Sequence, residues 1–212
     1  MLHYETTPVT PFQQNCSIVW CDVTRQAAVI DPGGDLDVIL DTVRRLDVKL
    51  EQIWITHAHI DHAGATAELA EQLQLPIIGP HEDDQFWIDG LAQAAANYGF
   101  PPARPFTPTR WLHDGDTVSI GEHTLHVRHC PGHTPGHVVF YSPEMQRAFV
   151  GDVLFAGSIG RTDFPRGDHE ALIHSITQRL WPMGNDTVFI PGHGPESTFG
   201  RERRSNPYVG GT

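Results

Sequence analysis

Apolar residues recur along this chain in two rhythms. Short apolar or β-branched runs read as buried strands: Ser17 to Cys21 (SIVWC), Ala27 to Ile30 (AAVI), Gln52 to Thr56 (QIWIT), Pro76 to Gly79, Thr117 to Ile120, Val138 to Tyr141 (VVFY), Arg147 to Val150 (RAFV) and Thr187 to Ile190 (TVFI). His123 to Cys130 alternates, with Leu125 and Val127 on one face, and reads as a further strand. Longer stretches carry helical spacing. Asp35 to Leu46 puts Leu36, Ile39, Leu40, Val43 and Leu46 on one side, and Ala63 to Gln74 puts Leu69, Ala70 and Leu73 inward. His81 to Tyr98 is a further helical stretch, and His169 to Leu180 is a helix capped by Asp168. The polar stretch Asp22 to Gln26 joins the first two strands as a hairpin. Gly99 to Arg110, with four prolines, cannot continue a helix and reads as a connector.

Polar residues that break these rhythms gather where strands end. The run Gln52 to Thr56 leads into His57-Ala58-His59-Ile60-Asp61-His62, three imidazoles and a carboxylate within six positions. Extended residues two apart point the same way, so His57 and His59 face one point beyond the strand tip. Asp61 and His62 come where the chain must turn into the next helix, and the two pairs need not serve the same ion. Two later strands end in Pro-Gly-His, at Pro131-Gly132-His133 and Pro191-Gly192-His193, where Gly and Pro hold an imidazole on a fixed turn. Asp152 follows the strand ending at Val150. Asp31, at the tip of the second strand, is a candidate acceptor behind a metal-bound histidine, and His137, at the start of VVFY, is a second supporting group. His123, His126 and His129 read as surface or satisfied histidines.

His57, His59, Asp61, His62, His133, Asp152 and His193 are too many for one tetrahedral ion and suit two ions sharing a carboxylate. Imidazole and carboxylate without thiolate fit zinc, with iron or manganese also possible, and leave a water position open.

Composition narrows the remaining classes. A chain of 212 residues, 39% hydrophobic, can bury one domain's core. A formal net charge of −12 argues against nucleic acid or anionic membrane as a general partner, because both require a basic face. No apolar run approaches a membrane span and the start lacks a signal-peptide pattern, so a soluble cytoplasmic protein is expected. Cys16, Cys21 and Cys130 are irregularly spaced and read as small buried residues in a reducing compartment.

The pattern H-x-H-x-D-H at 57 to 62, followed by His133, Asp152 and His193, resembles the metallo-β-lactamase superfamily. Within it the chain is most similar to small bacterial glyoxalase II-like, or hydroxyacylglutathione hydrolase-like, enzymes, from Asn15-Cys16-Ser17 to Arg201-Glu202-Arg203. The resemblance implies an α/β fold, an αββα sandwich of two mixed sheets flanked by helices, as one domain over residues 1–212. It assigns His57, His59 and His133 to one ion, Asp61, His62 and His193 to a second, and Asp152 to both. It implies thioester hydrolysis, of an S-lactoylglutathione-type small molecule, by a metal-bridging hydroxide that Asp61 helps orient.

Larger glyoxalase II enzymes grip glutathione with a C-terminal helical domain, and with only about a dozen residues after Gly200 no such domain is expected here. Arg161 and Arg166 are the nearest candidates for substrate carboxylates, or else anchor the loop from 158 to 168. The run Gly160 to Phe164 also resembles persulfide dioxygenases, which use one iron held by two His and one Asp. Lactonase or other ester and amide hydrolysis, and a purely structural metal site, are the remaining alternatives.

Overall fold

The computed structural model describes residues 1–211. The first sheet is built from β1 (Leu2–Val9), β2 (Gln14–Cys21), β3 (Gln26–Ile30), β4 (Lys49–Trp54) and β5 (Ile77–Ile78), in that spatial order. The first two pairings are antiparallel and the last two parallel. The second half contributes β6 (Thr117–Ile120), β7 (His123–His129), β8 (Val138–Ser142), β9 (Arg147–Gly151), a separate hairpin of β10 (Leu154–Phe155) and β11 (Ser158–Ile159), then β12 (Val188–Pro191) and β13 (Ser197–Thr198). Its sheet runs β13-β12-β9-β8-β7-β6, and β9 with β12 is its parallel pair.

Alternation along the strands explains the layers. In β3, Ala27 and Val29 point to one apolar cluster while Ala28 and Ile30 point to another. In β8, Val138 and Phe140 face the same inner cluster and Val139 faces a third. Strands buried on both faces need cover on both. The inner cluster joins the two sheets through Trp54 and Phe140, with ring centroids 5.4 Å apart. The outer face of the first sheet is covered by α1 (Leu36–Leu46), α3 (Thr66–Leu73) and α5 (Leu91–Tyr98) through Ile39, Leu69 and Leu91. That of the second is covered by α6 (His169–His174) and α7 (Phe199–Ser205) through Leu172 and Phe199. The short helices α2 (Ile60–Ala63) and α4 (Gln85–Asp89) lie between these elements in sequence. The result is the expected αββα sandwich of two mixed sheets.

Local boundaries differ from the periodicity in instructive ways. Helical geometry already begins at Ile60, so Asp61 and His62 sit inside a helical turn rather than before it. Leu73 is 39% exposed, because the chain reverses at Gln74 (φ 56°) and hands its apolar contact to Leu75. The stretch from His81 to Tyr98 is a single 3₁₀ turn, Glu82–Asp84, followed by α4 and α5 broken at Gly90. The expected helix from His169 opens with Asp168 Oδ1 accepting the Ala171 N–H at 3.0 Å, but widens to π geometry over Ser175–Leu180. Between 99 and 110 the chain buries Phe100, Ala103 and Phe106 against the first sheet's cluster, as a connector would. β1 and α7 arise where the sequence pattern marked nothing. The three cysteines are buried and free, and among the described residues no helix is long and apolar enough to cross a membrane.

Candidate metal centre

Each sheet has a parallel pair, β3 with β4 and β9 with β12. The segments following these four strands carry Asp31, His57 to His62, Asp152 and His193, and the turn after β7 carries His133. All seven residues singled out in the sequence meet here. His57, His59 and His133 offer ligand atoms within 4.8 Å of one another, and Asp61, His62 and His193 form a second such group. Asp152 reaches both. Its Oδ1 lies 3.3 Å from His62 Nε2, and its Oδ2 lies 3.5 Å from His133 Nε2 and 3.6 Å from His193 Nε2.

The imidazoles are oriented from behind. His62 Nδ1 lies 2.9 Å from Asp31 Oδ2, His133 Nδ1 is 2.7 Å from the Arg161 carbonyl, and His193 Nδ1 is 3.1 Å from the Phe12 carbonyl. Thr56 links two of these supports. Its hydroxyl donates to Asp31 Oδ2 at 2.6 Å and lies 3.1 Å from His57 Nδ1, from which it can accept. With hydrogens on these four Nδ1 atoms, the Nε2 lone pairs are left facing inward. His59 is turned the other way, with Nδ1 3.0 Å from His133 Nε2.

Buried His57 Nε2, His62 Nε2 and Asp152 Oδ1 have no hydrogen-bond partner among the described residues. Buried polar atoms without partners are costly, and a cation satisfies this set. Burial drives the His57, His59 and His133 imidazoles below their ordinary pKa, with neighbouring imidazoles adding to this at His57, so the first group is neutral and competent to ligate. At His62 burial acts in the same direction but is overridden by Asp152 and Asp61, which hold its pKa well up. Asp152 is the mirror case: burial would raise its carboxyl, and His62 with its neighbours holds it far below the usual range. The donor set therefore fits divalent metal.

The two supporting residues act differently. Asp31 Oδ2 lies against His62 Nδ1, and Asp31 Oδ1 also accepts the Thr56 N–H at 2.7 Å. His137 does not touch an imidazole nitrogen; its Nε2 accepts the Asp152 backbone N–H at 3.1 Å, while its ring stacks on His57 with centroids 4.6 Å apart. Gly33 and Gly192 are more than turn formers. A Cβ on Gly33 would stand 1.5 Å from the Asp61 carbonyl oxygen, and one on Gly192 would stand 2.0 Å from Asp152 Oδ1. Arg161 faces the site's pocket, but its guanidinium is bound by both Asp163 oxygens at 2.6 Å. Arg166 is not on the pocket wall; it lies over the Phe86 ring at 4.2 Å. His123 Nδ1 lies 2.8 Å from Glu144, its Nε2 being without a partner among the described residues, and His129 Nε2 lies 2.8 Å from the Pro135 carbonyl.

Asp84 carries a role the sequence did not disclose. Fully buried, it accepts the Ala58 N–H at 3.0 Å, the Gly136 N–H at 2.7 Å and the Thr134 hydroxyl at 2.9 Å, tying the 57–62 segment to the loop around His133. Asp84→Ala should strand two buried N–H groups and lower stability by about 2–4 kcal/mol, read by denaturant unfolding. Burial pushes this carboxyl up to about 7, against the pull of its three donors. Between the unfolded value near 4 and about 7 the folded chain keeps a proton that the unfolded chain has lost, so the group's contribution to stability falls as pH rises through that window and is flat above it. In the metal-free proteins, the unfolding free energy of the parent should therefore fall between pH 5 and 7.5 relative to that of Asp84→Asn, which has no titrating carboxyl at this position.

Comparison with known proteins agrees with this geometry. The metallo-beta-lactamase superfamily profile matches residues 9–193. The hydroxyacylglutathione hydrolase GloC of Haemophilus influenzae is 44% identical over 209 residues, 98% of each chain. Among solved structures, the BLEG-1 B3 metallo-beta-lactamase superposes with TM-score 0.90 at 33% identity, covering 99% of this chain and all of that one. TTHA1623 in a di-iron-bound form superposes with TM-score 0.88 at 38% identity, covering 97% of this chain and all of that one.

Proposed function

The chain belongs to the metallo-β-lactamase superfamily, and from that premise we propose that it is a binuclear metallohydrolase of thioesters, acting on glutathione-derived substrates of the S-lactoylglutathione type. The observation that carries the binuclear reading is Asp152, whose two oxygens face both groups of ligand atoms. In this reading His57, His59 and His133 hold one divalent ion, Asp61, His62 and His193 hold the other, and Asp152 serves both. Zinc suits the donors, and iron is supported by the di-iron form of TTHA1623. Such ions, when bound, make water a nucleophile near neutral pH and polarise a carbonyl.

The chain's own groups then set the geometry. Asp61 Oδ2 lies 3.1 Å from His193 Nε2 and 3.7 Å from His62 Nε2, beside the pocket, where it can accept a proton from the attacking water. The imidazoles stay fixed because each Nδ1–H is tied to protein, save that of His59, so little reorganisation is needed as charge develops. A thiolate leaves readily, so no strong general acid is required. The substrate class is supported by the GloC relationship and by a second group of ligands that a one-iron dioxygenase would not need.

The test combines a metal count per chain with two assays: thiol release from S-lactoylglutathione and oxygen uptake on glutathione persulfide. Two ions with thiol release sustain the proposal. One iron with oxygen uptake makes the chain a dioxygenase instead.

A further inference from the structure

The pocket over the ligands has a volume of about 670 Å³, within the roughly 300–1,000 Å³ of cavities that enclose whole organic ligands. Its walls beside the ligands are aromatic. The Trp87 and Phe164 rings stand 4.5 and 4.9 Å from the His59 ring, centroid to centroid, and Phe155 stands 6.2 Å from His193. Leu91 and Ala94 from α5 continue the apolar wall. Among the described residues on this wall, Arg161 is the one guanidinium or ammonium group; its side chain is 60% exposed, and it is paired with Asp163 and packed 4.3 Å over Phe164. The charged tail of a glutathione thioester thus finds its counter-ion only near solvent, while the space nearest the ligands is large and apolar. A lactoyl methyl would leave those rings wetted; an aryl group would cover them.

We propose that this pocket selects 2-hydroxyacyl thioesters whose acyl group carries an aromatic substituent, in preference to the lactoyl ester. The inference rests on the hydrolase reading above. The reaction itself is unchanged: water's oxygen bonds to the acyl carbon, the C–S bond breaks, and the thiol leaves with a proton from that water, giving a 2-aryl-2-hydroxy acid. Trp87, Phe164 and Leu91 are the residues that set the preference, by burying the ring as the carbonyl settles over the ligands.

The test compares S-D-mandeloylglutathione with S-D-lactoylglutathione on the metal-loaded enzyme, so that the thiol is constant and only the acyl group differs. We expect kcat/KM to favour mandeloyl by about tenfold or more. Trp87→Ala should bring the ratio towards one. Because Trp87 also packs on His59, Ala94→Trp serves as a second variant: filling the pocket should invert the preference, with mandeloyl now the poorer substrate. Equal or better turnover of lactoyl by the unmodified enzyme overturns the inference and leaves the hydrolase reading intact. No thiol release from either ester, with both ions bound, overturns both.

Discussion

An Asp152→Ala chain should fold yet lose its metal pair, and thiol release should drop by about 10⁴-fold or more, equivalent to about 5 kcal/mol of barrier. The size follows from position. Among the described residues Asp152 is the one carboxylate within 3.6 Å of imidazoles in both ligand groups, so its loss would leave His62, His133 and His193 without the charge proposed to hold two cations close together. Its backbone is secured independently, by its N–H to His137 and by the strand before it, so truncation of the side chain should spare the fold. Elemental analysis of the purified variant, with thiol release assayed alongside, checks this. Full activity with two ions per chain would end the assignment of Asp152 to both ligand groups.

Asp31→Ala should be nearly as damaging by a different route, without removing a proposed ligand. The carboxylate accepts from the Thr56 N–H and hydroxyl and lies within hydrogen-bond reach of His62 Nδ1, all buried. Stranding these groups should cost about 3–5 kcal/mol, a large share of a domain's usual 5–15 kcal/mol, and lower Tm by about 10 °C. His62 would lose its orientation, and His57 would feel the change through the Thr56 hydroxyl. Metal affinity should fall by about 10–100-fold, the usual cost of losing a group that orients a ligand. Thermal unfolding and competition against a chelator separate the two effects. A lower Tm with unchanged affinity would reduce Asp31 to a structural residue.

The candidate ligands were legible because their chemistry violates the patterns around them. An imidazole or carboxylate at the tip of an apolar run has few packing reasons to be there, and His57, Asp152 and His193 all stand out in this way. Asp31 was legible for the same reason. Asp84 was not: it sits in the acidic run Glu82-Asp83-Asp84, where a carboxylate at helical spacing reads as a solvated face, and only the long-range contacts to Ala58, Thr134 and Gly136 distinguish it from exposed Asp83. Thr56 read as the last residue of a strand, since nothing local reveals that its hydroxyl joins Asp31 to His57. The two arginines separated for a reason of partners. Arg161 is neutralised two residues away by Asp163, and Arg166 packs on Phe86, pairings that depend on how the loop closes. Strand alternation carried the layers, whereas helix ends were set by reversals such as Gln74 and Gly90.

Neither half of the chain owns a complete set of ligands. His57 and His59 need His133 from across the sandwich, and Asp61 and His62 need His193. Coordination by either proposed group would therefore fasten one sheet's rim to the other's, and would require both halves to have docked. Metal uptake by the proposed groups would then report that the two halves have docked, and the bound ions would brace the sandwich they complete.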